Sequence, residues 1–239
     1  MHHVVLERWS RGSSPLHRRD PRAKIAGLAV FLVVTATAHR ALPEVAAGLA
    51  LLLVAAAICA RLPLAGALAR AALVLPFTLV FAAVCWLAGD PARGLALAMK
   101  SYLSALAVLV LVATTPLPVL LRGLESMGAP RFLLMVAQFL YRYLFVISEE
   151  AQHMRIAAAS RGASRGRIDG LRAAAGALAV LFARSYQRAE EIHRAMLARG
   201  FMGHFRTLAA LRFRPADGAF LALVALAPIA VRAAVERMA

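Results

Sequence analysis

The chain has few cysteines and few acidic residues. Its two cysteines, Cys59 and Cys85, lie in apolar runs, which excludes a disulfide framework and a thiolate zinc site. Asp and Glu number 12 against 28 Lys and Arg, so the formal net charge is +16. There is no glycine-rich phosphate loop of the Walker type, and no Ser, His and Asp arrangement indicates catalysis. We therefore expect a protein that is not an enzyme and holds no cofactor.

The composition is that of a membrane protein. Apolar residues make up 62% of the chain, against about 45 to 50% in soluble domains. The apolar runs contain no series of carboxylates that could relay protons or ions across the membrane. This disfavours a self-sufficient proton-coupled or ion-coupled carrier. A stand-alone channel is equally disfavoured because the runs lack polar faces.

Five apolar segments are long enough to cross a bilayer, so the sequence predicts an all-α membrane protein. They are residues 25–38, 45–60, 71–88, 95–115 and 216–235. Asp20-Pro21 predicts the start of the first helix, and Pro76 is expected to kink the third. We accordingly divide the chain into a membrane domain with four spans (1–115), a segment of cytoplasmic helices (116–214) and a final span (215–239).

The distribution of Lys and Arg predicts the orientation. Residues 1–22 are polar and lack an apolar signal-peptide region, so we expect the amino terminus to be retained and cytoplasmic. With that orientation most of the basic residues, above all those of 122–214, lie inside. The charge therefore follows from membrane topology, and we expect no nucleic-acid partner.

Residues 116–214 are too charged to cross the membrane throughout, and they predict two long cytoplasmic helices, 131–161 and 168–199. The half from 132 to 147 is apolar and is the candidate partner-facing segment. Its candidate contact residues are Phe132, Gln138, Tyr141, Arg142, Tyr143 and Phe145. We expect Arg142 either to be paired or interfacial, or to be a structural arginine that reaches towards water.

The two long helices end alike, with a small residue, an arginine and a glycine. These residues are Ser160, Arg161 and Gly162 in one helix, and Ala198, Arg199 and Gly200 in the other. One interpretation is ordinary helix termination, since glycine favours this position and arginine complements the helix dipole. The other is that each arginine enters a carboxylate-lined socket on a partner that presents two equivalent sockets, and therefore on a dimer.

Histidines are the remaining candidates for chemistry. Met1-His2-His3 has the donor set of a Cu(II) or Ni(II) chelator, but we favour an ordinary amino terminus, because the cytoplasmic side is the wrong side for capturing a substrate from outside. His39, near Glu44, is a weak candidate for contact with a passing metal ion. The other histidines are too scattered to form a ligand set, so we expect no metal site.

The Arg-Gly ends, the Asp20-Pro21-Arg22-Ala-Lys24 start and the block Tyr141-Arg-Tyr-Leu-Phe145 resemble the transmembrane T components of energy-coupling factor transporters. Within that group the segments 14–22, 184–190 and 195–201 resemble CbiQ, the permease subunit of cobalt importers. The resemblance covers nearly the whole chain. Ser160 departs from the alanine that is commoner there, but both residues are small.

The resemblance implies an ABC-type importer in the bacterial plasma (inner) membrane, with several partners. These are an ATPase dimer similar to CbiO, a metal-capturing membrane subunit similar to CbiM and a small subunit similar to CbiN. It implies that Arg161 and Arg199 dock on the ATPase dimer. Alternatives are a T component for nickel or for vitamins, and a membrane scaffold without transport in which the two arginines merely end helices.

Overall fold

The computed structural model of the chain describes residues 9–10, 12–38, 42–162, 167–203 and 213–238. Across these ranges the regular structure is helical and contains no strand, which confirms the all-α prediction. The helices are α1 (Pro21–Thr37), α2 (Leu42–Cys59), α3 (Leu64–Ala71), α4 (Leu75–Leu87), α5 (Pro91–Thr114), α6 (Leu117–Ser126), α7 (Arg131–Ser160), α8 (Arg167–Ala198) and α9 (Pro215–Met238).

The chain divides into two compact units. We call Met1–Met127 together with Ala210–Ala239 the bundle unit, and Gly128–Ala209 the hairpin unit. The hairpin unit is thus an insertion in the sequence between α6 and α9 of the bundle unit.

Two helices of the bundle unit start at the same local signal, an aspartate followed by proline. The Asp20 carboxylate accepts the Arg22 N–H at 2.9 Å, and the Asp90 carboxylate accepts the Arg93 N–H at 3.2 Å. Proline in the first turn needs no hydrogen-bond acceptor and already has a helical φ. The predicted start of the first helix at Asp20-Pro21 is confirmed.

Among the described residues, four helical segments are long and apolar enough to cross a membrane. They are Leu64–Leu87, Pro91–Thr114, Arg131–Ser160 and Pro215–Val235, and a shorter apolar helix covers Pro43–Cys59. The first predicted span, 25–38, ends one residue beyond α1, which has 17 residues and is not among the four. Conversely, α7 is long and apolar enough to cross a membrane, although the sequence predicted that it belongs to the cytoplasmic segment.

The third predicted span, 71–88, begins too late. The segment starts at Leu64, because α3, a 3₁₀ turn at Ala72–Val74 and α4 follow one another directly. Pro76 lies in the first turn of α4, directly after the 3₁₀ turn that interrupts the α-helical hydrogen bonding of this segment. Arg70, just before the predicted start, lies inside this helical segment: its guanidinium carbon is 4.3 Å from the centre of the Trp9 ring, and its guanidinium donates to the Gly66 carbonyl at 3.0 Å.

The core of the bundle unit lies among α1, α2, α3 and α5, and it includes Phe31, Leu49 and Leu103. Helix α9 packs against α1 and α2 through two glycines. A Cβ at Gly27 would lie 2.7 Å from Val224 Cγ1, and one at Gly48 would lie 2.5 Å from Val231 Cγ1. These valines are seven residues apart, about two helical turns, so one face of α9 fits glycines on two neighbouring helices.

In the hairpin unit, α7 and α8 lie side by side and run antiparallel. Ala151 and Ala158 of α7 line a groove with Ala173 and Ala177 of α8. Further along, residues near the start of α7 lie beside residues near the end of α8. The alanines allow the two helix backbones to approach closely in the first of these regions.

Candidate coupling site

Helix α8 ends in a regular glycine cap. Gly200 has φ +77°, and its N–H donates to the Leu197 carbonyl at 2.9 Å, while the Phe201 N–H donates to the Met196 carbonyl at 3.0 Å. This pair of bonds is the Schellman motif, in which glycine takes the left-handed conformation after the last helical turn. The cap fixes the direction in which the backbone of Arg199 leaves the helix.

Helix α7 ends in the same way as far as the described residues extend. Gly162 has φ +82° and donates its N–H to the Ala159 carbonyl at 3.0 Å. The Ser160 hydroxyl donates to the Ala157 carbonyl at 2.8 Å, so it is bonded within its own helix. Ser160 therefore presents little more than a small side chain, as Ala198 does in the other helix.

Both arginines are available to a partner. The side chains of Arg161 and Arg199 are exposed, and within the described part of the chain neither guanidinium has a hydrogen bond or an ion pair. A planar guanidinium can donate two parallel, charge-assisted hydrogen bonds to one carboxylate, which a lysine cannot reproduce. Each helix end is thus able to bind an acidic socket with a defined orientation.

The structure does not bring the two arginines together. Because α7 and α8 are antiparallel, Arg161 lies at the connected end of the hairpin and Arg199 at the opposite end. A helix of 30 residues is about 45 Å long at 1.5 Å per residue, and this length sets the scale of their separation. A partner that binds both must therefore present two sockets that are far apart.

The candidate partner-facing half of α7 carries exposed apolar and aromatic side chains. Phe132 is 68% exposed and Leu140 is 67% exposed. Along the helix, Tyr141 packs edge-on against Phe145 with ring centroids 5.5 Å apart. The exposed Arg142 places its guanidinium 5.8 Å from the centre of the Tyr143 ring. Gln138 is half-buried.

Sequence reasoning missed a groove between this half of α7 and the second half of α8. Its volume is about 860 Å³, and its apolar wall includes Phe139 and Tyr143, whose rings stack with centroids 6.2 Å apart. An ion pair between Glu150 and Arg184 joins the two helices beside it. These two residues are 34 positions apart, so neither spacing nor motif could have paired them.

Among the described residues, no group of three or more His, Cys, Asp or Glu side chains could hold a metal ion. His153 and His193 are exposed on separate helices. His17 has a local role, since its ring nitrogens hydrogen-bond the Ser14 hydroxyl at 2.7 Å and the Trp9 carbonyl at 2.9 Å. The candidates Met1-His2-His3 and His39 lie outside the described residues.

Comparison with known proteins places this architecture in a family. The sequence profile of CbiQ, described as a cobalt transport protein, matches residues 12–208, which is most of the chain and includes both Arg-Gly ends. The chain belongs to the CbiQ family. With four helical segments able to cross a membrane, this CbiQ-family chain is a multi-pass membrane protein.

The chain is also similar to individual curated proteins. The cobalt transport protein CbiQ of Rhodobacter capsulatus is 33% identical over 118 residues, which cover 49% of this chain and 48% of the relative. The energy-coupling factor transporter transmembrane protein EcfT of Bacillus selenitireducens is 29% identical over 232 residues, covering 84% of each chain. An uncharacterized protein of Methanocaldococcus jannaschii, MJ1571, is 27% identical over 100 residues, 41% of this chain and 34% of the relative.

Proposed function

We propose that the chain is the non-catalytic T component of an energy-coupling factor importer and that the imported substrate is the cobalt ion. The observation that carries the proposal is the pair of matching helix ends, each with an exposed arginine held by a glycine cap, in a chain of the CbiQ family. Ordinary helix termination would account for the glycine. It does not require that α7 and α8 should each carry an exposed arginine at the carboxyl end.

In this mechanism Arg161 docks into an acidic socket on one subunit of an ABC-type ATPase dimer. Arg199 docks into the equivalent socket on the other subunit. Two sockets on a dimer meet the requirement for widely separated binding sites, which the antiparallel hairpin imposes. The ATPase dimer hydrolyses ATP, and the T component transmits the resulting motion.

Closure of the ATPase dimer on ATP brings the two sockets closer together. A rigid helix cannot shorten, so α7 and α8 respond by changing the angle at which they cross. That rotation moves the apolar half of α7, residues 132–147, which we propose faces a membrane subunit that captures the metal ion. In this arrangement α7 does not cross the membrane, although its length and composition would allow it, and the amino terminus and both ends of the hairpin are cytoplasmic, in agreement with the positive-inside rule.

A second candidate differs only in substrate. The match to EcfT, named an energy-coupling factor transporter transmembrane protein, extends over 84% of the chain and favours a general T component over one dedicated to cobalt. Nickel or a vitamin would then be the substrate. Uptake assays with each capture subunit distinguish these substrates from cobalt.

The test is charge reversal at the helix ends. We expect Arg161→Glu and Arg199→Glu each to abolish uptake, because each replaces attraction to a carboxylate with repulsion, while the chain still inserts and melts as the wild type does. Arg172→Glu is the matched control, since Arg172 is an exposed arginine on the body of α8. Normal cobalt uptake in both helix-end variants would contradict the coupling role.

A further inference from the structure

The bundle unit contains a buried cluster of charged and hydroxyl side chains around the first turn of α1. Asp20 is 7% exposed, Lys24 6% and Asp217 4%, and the adjoining Thr114 and Thr115 are buried as well. Charged side chains are almost never buried to this extent unless they are paired. The cluster therefore requires a structural or functional reason.

Lys24 binds the end of α5. Its ammonium donates to the Thr114 carbonyl and to the Thr115 hydroxyl, both at 2.9 Å. Thr115 is the residue that follows α5, and α6 begins two residues later. Lys24 thus holds the point at which the chain turns from α5 into α6.

Asp217 binds the backbone at the start of α1 and the backbone just before its own helix, α9. One carboxylate oxygen accepts the Asp20 N–H at 3.2 Å and lies 3.9 Å from an Arg19 guanidinium nitrogen. The other oxygen accepts the Arg214 N–H at 3.0 Å. The first turn of α9 is therefore joined to the first turn of α1 through one buried carboxylate.

These contacts lie close to the two points at which the chain passes between the bundle unit and the hairpin unit. The chain leaves the bundle unit after Met127, directly after α6, and returns to it at Ala210, just before Arg214. Helix α6 also lies on the first turn of α1, where a Cβ at Gly123 would be 3.0 Å from the Pro21 Cβ. Both segments that flank the hairpin unit are thus fastened to residues 20–24.

A polar anchor differs physically from an apolar one. Burying charges has a desolvation cost, and a well-packed apolar replacement is often at least as stable, so stability alone does not account for such a cluster. Hydrogen bonds fix direction as well as distance, whereas the hydrophobic effect is non-directional. A directional anchor can transmit a pull from either flanking segment to α1.

We propose that Lys24 and Asp217 are positioning residues of transport, which anchor both connections of the hairpin unit to α1 so that motion of the hairpin moves the bundle. This inference rests on the proposed function, because it requires an ATPase that moves the hairpin. Lys24 serves the connection that leaves the bundle unit, and Asp217 serves the connection that returns to it.

The test is Asp217→Asn in the complete transporter complex, reconstituted in vesicles, with ATP hydrolysis and substrate uptake measured on the same preparation. Asparagine keeps the size and one acceptor oxygen but removes the charge. We expect the complex to assemble and hydrolyse ATP, while uptake per ATP hydrolysed falls about fivefold or more, the lower end of a typical allosteric coupling. Asp90→Asn is the matched control: the Asp90 carboxylate, like that of Asp217, accepts a backbone N–H at the start of a helix, but its side chain is 40% exposed and it lies outside both connections.

A second variant keeps the test decisive if Asp217→Asn does not assemble. Thr115→Val removes the hydroxyl that Lys24 binds and keeps the branched shape, and it should lower the same ratio in the same direction. A merely structural cluster predicts parallel losses of hydrolysis and uptake with an unchanged ratio, and that result in the assembled variant would overturn the inference. If the wild-type chain assembles with no ATPase, the proposed function itself has failed, and this outcome is distinct from an unchanged ratio.

Discussion

Replacing Gly200 by alanine should weaken binding of the ATPase without unfolding the chain. Gly200 has φ +77°, and an L-residue in that left-handed conformation is less stable than glycine by about 1 to 2 kcal/mol. The free hairpin can avoid this strain if its last turn frays. The docked hairpin cannot, because Arg199 must be held in position.

The strain therefore appears as lost affinity. At about 1.4 kcal/mol per tenfold change, 1 to 2 kcal/mol corresponds to a dissociation constant raised by about five- to thirtyfold. The assay is titration of the ATPase against the chain in lipid nanodiscs. Gly200→Asn should bind more tightly than Gly200→Ala, since asparagine tolerates the left-handed conformation better.

Gly176 provides the control within the same helix. It lies inside α8, and a Cβ there would meet nothing within 4 Å. Gly176→Ala should therefore stabilise α8 by about 0.5 to 1 kcal/mol and leave ATPase affinity unchanged. Unchanged affinity in Gly200→Ala, or an equal loss in Gly176→Ala, would refute the reasoning that the cap positions Arg199.

Two further predictions concern packing and charge. Gly48→Ala should destabilise the bundle unit by about 1 to 3 kcal/mol, because the new Cβ would lie 2.5 Å from Val231 Cγ1. Thermal unfolding in detergent measures this, and adding Val231→Ala should restore part of the loss; no recovery would contradict the steric explanation. Glu150→Gln should change stability by less than about 1 kcal/mol, because its partner Arg184 is 62% exposed and solvent screens the pair. A larger loss in the same melting assay would mean that the pair is coupled to further contacts.

Local signals in the sequence predicted several helix boundaries. Aspartate followed by proline at 20 starts α1, and glycine at 162 and 200 ends α7 and α8, whereas the same Asp-Pro pair at 90 starts α5 four residues before the predicted start at 95. These signals act through hydrogen bonds between residues that are near one another in the chain. They can therefore be identified without knowledge of the fold.

Long-range pairings could not be predicted in this way. Lys24 bonds to a residue 91 positions away, and Arg70 stacks on Trp9 of another segment. The third span was predicted to begin just after Arg70, whereas Arg70 lies inside the helical segment Leu64–Leu87. Both contacts depend on which helices become neighbours, which composition does not specify.

The antiparallel hairpin is an intermediate case. The shared Arg-Gly sequence of the two helix ends does not indicate where these ends lie relative to each other. Only a few residues connect α7 to α8, and such short connections normally join antiparallel helices. That signal could have predicted that Arg161 and Arg199 lie at opposite ends of the hairpin.

The most direct test of the coupling role is to solubilise the chain gently from its native membrane and identify by mass spectrometry what is purified with it. The wild-type chain should bring an ABC-type ATPase and a small metal-capturing membrane protein, and the double variant Arg161→Glu/Arg199→Glu should retain the membrane protein but lose the ATPase. Recovery of the wild-type chain without an ATPase, under conditions that keep other ABC complexes intact, would contradict the central claim.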